Sequence, residues 1–546
     1  MSPAKIPRPA AELAADAIAV RDSTIPAAYR LPKNTQLPKN VTTVLESSGI
    51  LSAAELAIVD LDATRLAEAI AARKYSAVEV TTAYVKAASV AQQVTNCLVE
   101  LFAAEALERA AELDAEFERT GKVTGPFHGV PVSIKDHLDV KGHDSPSGFL
   151  DMIGNVAKED AHMVEILRNA GAVFYCKTTN PQSLMHLETE CYLGVTASPW
   201  NTDLTAGGSS GGEGALIGMK GSPIGIGTDI GGSVRSPAAA CGIYSFKPSV
   251  RRLPYGGANI PVGPAGYEGI LGTHGPMARG VDDLEKYMRL VASTEPWKRD
   301  PTVVSDPPSL DVKPWREVTP KRLRVGILRD DGVVRPVAPI RRALDAAVAK
   351  LKASGDFDVV DYAPFRSADN WEIISALYWP DNGKAVYDHI AGTGERVVPL
   401  TEWIISQAGG RQRSTEELWQ LVARRDAFRS AFAAHWQAAG IDILLTPVGP
   451  SPAPAHNTAR YWNYTSFWNL VNYPAVVFPT GAHVDPATDA EDGAYSPRND
   501  AEAYVYDCYD AAQSEAAPLC LQTVGYIGYE EETLWATKKI VEAIQK

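Results

Sequence analysis

Residues 205–248 concentrate Gly and Ser between two apolar runs, a composition that lets backbone approach a bound group closely. Two phosphate-cradle readings fall short there. Gly207 to Gly214 lacks the Gly-Lys-Ser/Thr end of a P-loop, and Gly225-Ile-Gly-Thr-Asp-Ile-Gly231 misses dinucleotide-fingerprint spacing by one residue. Asp229-Ile-Gly-Gly-Ser-Val-Arg235 is more specific. Ser233 follows two glycines, so successive N–H groups can converge where an oxyanion would form beside its hydroxyl. A neutral serine hydroxyl needs a base before it can attack, yet none of the ten histidines stands in a recognisable motif with it, and no GxSxG elbow is present. Lys135 is the candidate base. It closes the apolar run Val130-Pro-Val-Ser-Ile134, where burial at a strand end disfavours the ammonium form. A lysine brought from about 10.4 to about 7 or 8 can accept a proton. The same position also suits a strand-end lysine that reaches back to water.

Gly207-Gly-Ser-Ser-Gly-Gly212, Gly227-Thr-Asp-Ile-Gly-Gly-Ser-Val-Arg235, Cys241-Gly242 and Lys247-Pro248, preceded by Ser133-Ile-Lys-Asp136, resemble the amidase signature family of serine hydrolases. Ser209 lies 24 residues before Ser233 and Lys135 lies 74 before Ser209, so the match joins three separated segments. Ser48-Gly-Ile-Leu51, Ala91 to Cys97, Glu295-Pro-Trp-Lys298 and Arg460-Tyr-Trp-Asn-Tyr464 resemble fungal acetamidase-type general amidases. Glu213 to Gly218 and Ile230 resemble the branch containing fatty acid amide hydrolase. Tyr244 and Ser245 depart from the small residues common near the end of the signature, which bears on pocket shape.

The resemblance implies an α/β class, the amidase signature fold, with an α/β/α sandwich on a large mixed β-sheet flanked by helices. It implies a Ser-cisSer-Lys triad in which Ser233 is the nucleophile, Ser209 the bridging serine of a cis peptide, and Lys135 the base. The N–H groups of Ile230, Gly231, Gly232 and Ser233 would form the oxyanion hole. The implied activity is hydrolysis of carboxylic acid amides to acid plus ammonia or amine through an acyl-serine, and the same chemistry would also serve a carbamate or aryl-ester hydrolase. No metal or other cofactor is expected. The partner is a small-molecule amide substrate, with a homodimer allowed by resemblance alone. Ser210, Asp229 and Arg235 are expected to hold the Gly-rich loops through hydrogen bonds or an ion pair. Leu184 and Met185 line the acyl pocket by resemblance, with ordinary core packing as the alternative. Asp136 and His137 suit a structural role; His137, beside the base, is expected to point to the opposite face.

Those residues need a sheet beneath them. Val130 to Ile134 and Ala172 to Cys176 read as buried strands, and strand-like runs alternate with helical ones through Leu323–Leu328, Pro339–Ala353 and Phe357–Val360. Ser76-Ala-Val-Glu79 and Ser414-Thr-Glu-Glu417 have capping-box form and predict helices after them, and another covers about 103–118. The aromatics of the helix at about 415–437 and of the 461–473 stretch are expected to wall a substrate channel. Residues 1–60, rich in Pro, Ala and charge, read as an N-terminal arm, and 61–546 as the main domain. The acidic segment 485–503 reads as a surface loop insertion.

Composition narrows the setting. With 546 residues, 52 Lys+Arg against 66 Asp+Glu and a net charge of −14, the chain lacks the basic excess that nucleic acid or anionic lipid demands. The six scattered cysteines form neither a CxxC pair nor a zinc module, and no stretch of about 18 apolar residues occurs. A cytoplasmic protein is the expectation, with no nucleic-acid partner and no membrane contact.

Overall fold

β-branched and apolar runs bounded by Gly or polar residues form the strands that carry the site. The computed structural model describes residues 8–304, 315–491 and 493–545. Among these, one sheet holds 11 strands. In chain order they are β1 (Leu98–Leu101), β2 (Pro131–Lys135), β3 (Val173–Thr178), β4 (Ile224–Asp229), β5 (Tyr244–Lys247), β6 (Thr273–Ala278), β7 (Leu323–Ile327), β8 (Phe357–Asp361), β9 (Ile443–Pro447), β10 (Ala475–His483) and β11 (Pro518–Val524). Across the sheet the order is β1, β3, β2, β4, β6, β5, β10, β11, β9, β7, β8. Two parallel triplets, β3-β2-β4 and β9-β7-β8, flank an antiparallel centre. Helices cover the sheet, giving the mixed α/β architecture expected.

The parallel triplet β3-β2-β4 places the chemistry. Val132 pairs with Ile224, Ser133 with Gly225 and Ile134 with Ile226, so β2 and β4 run in step and finish at the same edge. All five residues of β2 and all six of β3 and β4 are buried, which fits the near-continuous apolar pattern of strands covered on both faces. Lys135, Thr178 and Thr228 therefore meet at the carboxyl ends of parallel strands, where open α/β sheets leave a crevice.

The helices used below are α1 (Ala10–Ser23), α2 (Ala77–Thr95), α3 (Ala103–Thr120), α4 (Gly211–Gly218), α5 (Arg235–Cys241), α6 (Ala338–Ser354), α7 (Ser367–Tyr378), α8 (Thr415–Ala439), α9 (Asn463–Leu470) and α10 (Glu530–Gln545). Both predicted capping boxes are present: Ser76 opens α2 with Glu79, and Ser414 opens α8 with Glu417. Gly121 and Gly440, in the left-handed region, end α3 and α8. Phe428, Phe432 and Trp436 of α8 pack with Phe467 and Trp468 of α9 and with Tyr473 in one apolar core. Their edge-to-face contacts, such as Phe432 against Phe467 at 5.0 Å, belong to that core.

Near the N-terminus, α1 is mostly exposed and is tied down by Arg21, whose Nη1 donates 2.6 Å to Asn96 Oδ1. Val41, Leu45, Leu51, Ile58 and Val59 enter the apolar core shared with α2. The described residues of the acidic segment 485–503 are mostly exposed and non-helical up to Asn499, with two buried carboxylates pinning it down. Asp489 is fully buried and accepts two hydrogen bonds from Arg342 of α6 (2.7 and 2.6 Å). Glu502, also buried, accepts from Arg498 and Arg335, because carboxylates taken from water need such partners. Among the described residues no helix is long and apolar enough to cross a membrane, and all six cysteines are free thiols.

Candidate active site

Lys135 ends β2 fully buried, and its Nζ donates to Ser209 Oγ at 2.6 Å and Thr228 Oγ1 at 3.0 Å. Burial draws its pKa down to about 7, against the attraction of Asp229, Glu213 and Asp136. Ser209 follows Gly208 across a cis peptide bond. Gly208 is required there by close approach, since a Cβ on it would lie 2.3 Å from the His186 carbonyl oxygen.

Ser233 lies between β4 and α5, and its carbonyl accepts 3.1 Å from the Ser210 N–H, which binds the two Gly-rich segments together. Ser210 Oγ reaches back to the Thr228 carbonyl at 3.4 Å. Ser209, Thr228, Ile230 and Ser233 open into one cavity of about 430 Å³. The Ser209 and Ser233 hydroxyls share that cavity without a hydrogen bond between them.

Asp229 and Arg235 form a fully buried, two-pronged ion pair, with Nε to Oδ2 and Nη2 to Oδ1 both at 3.0 Å. Asp229 Oδ1 also accepts from the Gly232 N–H (2.9 Å) and Asn469 Nδ2 (2.9 Å), and Oδ2 from the Val234 N–H (3.2 Å). Burial alone would raise this carboxyl, but Arg235, Lys247 and Asn469 outweigh it and hold the pKa well below the usual carboxylate range. The Gly232 N–H is thus committed to Asp229. The N–H groups of Ile230, Gly231 and Ser233 carry no hydrogen bond among the described residues.

Glu213, on α4, is fully buried against β2 and β3. Its Oε2 accepts from Ser133 Oγ (2.5 Å) and its Oε1 from Thr178 Oγ1 (2.8 Å), while burial pushes its pKa up to about 7. Gly225 on β4 leaves the room, since a Cβ there would stand 1.9 Å from Glu213 Oε2. Asp136 is buried too, accepts from the Gly148 N–H at 3.2 Å, and is pushed by burial to about 7.

Leu184 and Met185 line the cavity wall, together with Ile270, Leu377 and Trp379. Ser183 and Leu184 adopt φ of 68° and 57°, in the left-handed region, in a turn anchored by Gln182 Nε2 donating 2.6 Å to Glu395 Oε1. Most of the aromatic residues expected to wall the channel lie elsewhere: Phe428, Phe432, Phe467, Trp468 and Tyr473 are spent in the core, and Trp419 is 69% exposed, while the Trp462 ring packs close to Gly231. The end of α7 and the loop 250–272 line the cavity in their place. His137 also faces the cavity rather than turning away. It lies beyond the end of β2, in a turn closed by the Leu138 N–H donating to the Lys135 carbonyl at 3.0 Å, so strand alternation does not set its direction. Neither of its ring nitrogens has a hydrogen-bond partner among the described residues, and burial, with Lys135 nearby, drives its pKa well below the usual value.

Sequence reasoning missed Thr228, Glu213, Tyr378, Thr465 and Asn469. Thr228 was within reach, because it neighbours Asp229 at the end of a strand beside Lys135. Tyr378, Thr465 and Asn469 come from segments more than 140 residues away, and no local spacing announces them.

Comparison with known proteins places the sequence and the fold among the amidases. The amidase family model matches residues 79–534. A Schizosaccharomyces pombe protein that carries an amidase name is 46% identical over 539 residues, covering 98% of this chain and 99% of that protein. The acetamidase of Aspergillus oryzae is 35% identical, with 96% of each chain covered. Among solved structures, a fatty acid amide hydrolase superposes with a TM-score of 0.92 at 34% identity, covering 98% of this chain and 95% of that one.

Proposed function

We propose a substrate class and a mechanism for this chain, which belongs to the amidase signature family and is an amide hydrolase. It cleaves carboxylic acid amides to the acid plus ammonia or an amine, through an acyl-serine on Ser233, with Lys135 as base acting by way of Ser209. The observation that carries the reading is the buried Lys135 amine, drawn to about 7 and 2.6 Å from the Oγ of Ser209, which lines the same cavity as Ser233. A base with a pKa near the working pH is available as the neutral amine and strong enough to take a proton.

Neutral Lys135 takes the Ser209 proton as Ser209 takes that of Ser233, whose oxygen attacks the amide carbonyl. The two serine hydroxyls close to hydrogen-bonding distance when substrate enters, as catalytic contacts commonly tighten in the Michaelis complex. The carbonyl oxygen, now negative, is received by the free N–H groups of Ile230, Gly231 and Ser233, with the Gly232 N–H held by Asp229. The proton then returns from Lys135 through Ser209 to the leaving nitrogen, so that a neutral amine departs instead of a strongly basic anion. Water hydrolyses the acyl-enzyme by the same relay. Asp229 and Arg235 hold the Gly-rich turn, and Ser210 ties it to the Ser209 segment.

The cavity of about 430 Å³ has an apolar wall of Leu184, Met185, Ile270, Leu377 and Trp379. That wall suits an apolar acyl group of moderate size. The test combines a fluorophosphonate probe with an amide panel from acetamide through anilides to long-chain amides. Ser233→Ala should abolish both labelling and turnover, Lys135→Ala nearly abolish turnover, and Ser209→Ala fall between. Substantial turnover by purified Lys135→Ala would remove Lys135 as the base.

A further inference from the structure

Two hydroxyls from distant segments grip the backbone beside Ser233. Tyr378, at the end of α7, donates to the Ile230 carbonyl oxygen at 2.8 Å, and Thr465 of α9 donates to the Gly231 carbonyl oxygen at 2.7 Å. Across a trans peptide the C=O and the following N–H point in opposite directions, so each bond aims the next N–H. Thr465 fixes the 231–232 plane, and the Gly232 N–H accordingly lands on Asp229 Oδ1 at 2.9 Å. Tyr378 fixes the 230–231 plane, whose N–H, that of Gly231, has no partner among the described residues. Consecutive glycines offer little resistance to rotation of that plane, so its direction must come from outside.

The surroundings suit a fixed brace. Tyr378 is buried, lines the cavity with Ile230 and Ser233, and its phenol is held well above its ordinary pKa by burial and by Asp229, so it stays a donor. A Cβ on Gly231 would stand 2.8 Å from the Tyr378 oxygen and 3.1 Å from the Trp462 ring, so the contact depends on the glycine as well.

Resting on the acyl-serine reading of Ser233, we infer that Tyr378 is a positioning residue for the oxyanion. Its hydroxyl holds the Ile230 carbonyl to one side and thereby presents the Gly231 N–H to the oxygen of the tetrahedral intermediate. Tyr378 acts on the transition state through backbone and touches no reacting atom.

The test is Tyr378→Phe, which removes one hydroxyl and keeps the ring. kcat should fall by at least about tenfold, in line with a weakened oxyanion donor, while KM for a neutral amide stays within about twofold. Affinity for a trifluoromethyl ketone, which forms a charged tetrahedral adduct, should fall by a similar factor. The acid limb of the pH profile should stay in place, because Lys135 is untouched. Tyr378→Leu should share the kcat loss. Unchanged kcat and ketone affinity in Tyr378→Phe, or a loss confined to KM, would overturn the inference. A fluorophosphonate probe run on the unmodified enzyme separates the two readings. No label on Ser233 removes the acyl-serine reading, whereas labelled Ser233 with full kcat in Tyr378→Phe removes only the role of Tyr378.

Discussion

The pH dependence of turnover follows from the position of Lys135. An amine held at about 7 instead of its ordinary 10.5 reflects burial outweighing the pull of Asp229, Glu213 and Asp136. That imbalance disfavours the ammonium form by about 5 kcal/mol. The active form is the neutral amine, so kcat/KM for an amide without titrating groups should rise with pH below about 7 and level off above it. With a pKa near 7 the neutral fraction grows about tenfold between pH 6 and 8, whereas an ordinary lysine would give about a hundredfold growth still climbing at pH 9. Steady-state kcat/KM measured from pH 5.5 to 10 separates these curves. Lys135→Arg should abolish the profile with the activity, because a guanidinium does not deprotonate in this range. A log-linear climb through pH 9, or a plateau retained in Lys135→Arg, would refute the reasoning.

The same displacement has a stability counterpart: the folded pKa of Lys135 is depressed, so the unfolded chain binds the extra proton between about 7 and 10.5 and folding gains with rising pH across that window. Lys135→Met lacks this gain, and urea unfolding of both proteins at pH 6.5 and 9 should show its relative advantage shrinking by about 2–3 kcal/mol. Arg235→Ala leaves Asp229 buried without its cation and should cost about 3–5 kcal/mol in denaturant unfolding, with loss of turnover. Gly232→Ala places a Cβ 2.4 Å from Thr465 Oγ1 at a φ of 128°; it should lower the melting temperature and slow probe labelling of Ser233, and unchanged labelling would show that the turn tolerates a side chain.

Several parts of this protein were legible along the chain because their causes are local. The capping boxes at Ser76 and Ser414 depend on residues three apart, and the strands β2 and β3 on short apolar runs closed by polar or glycine residues. The family was legible because Lys135, Ser209 and Ser233 each sit within a short motif of their own, and the intervals between them add a further match. Other readings failed where packing decides between equivalent candidates. An aromatic residue in α8 or α9 carries the same apolar surface whether it faces a cavity or a core, and only the crossing of those two helices sends Phe432 and Phe467 inward. His137 was misjudged because β2 ends at Lys135 and a turn, not strand alternation, sets its direction. The Lys135 environment is tertiary, since its depressed pKa arises from burial between β3 and β4, which outweighs the opposing pull of Asp229, Glu213 and Asp136. Tertiary structure alone also joins Tyr378 and Thr465 to the peptides beside Ser233. Hydrogen bonds between segments more than 140 residues apart leave no periodic trace in a sequence, because their geometry exists only once the sheet has brought its helices together.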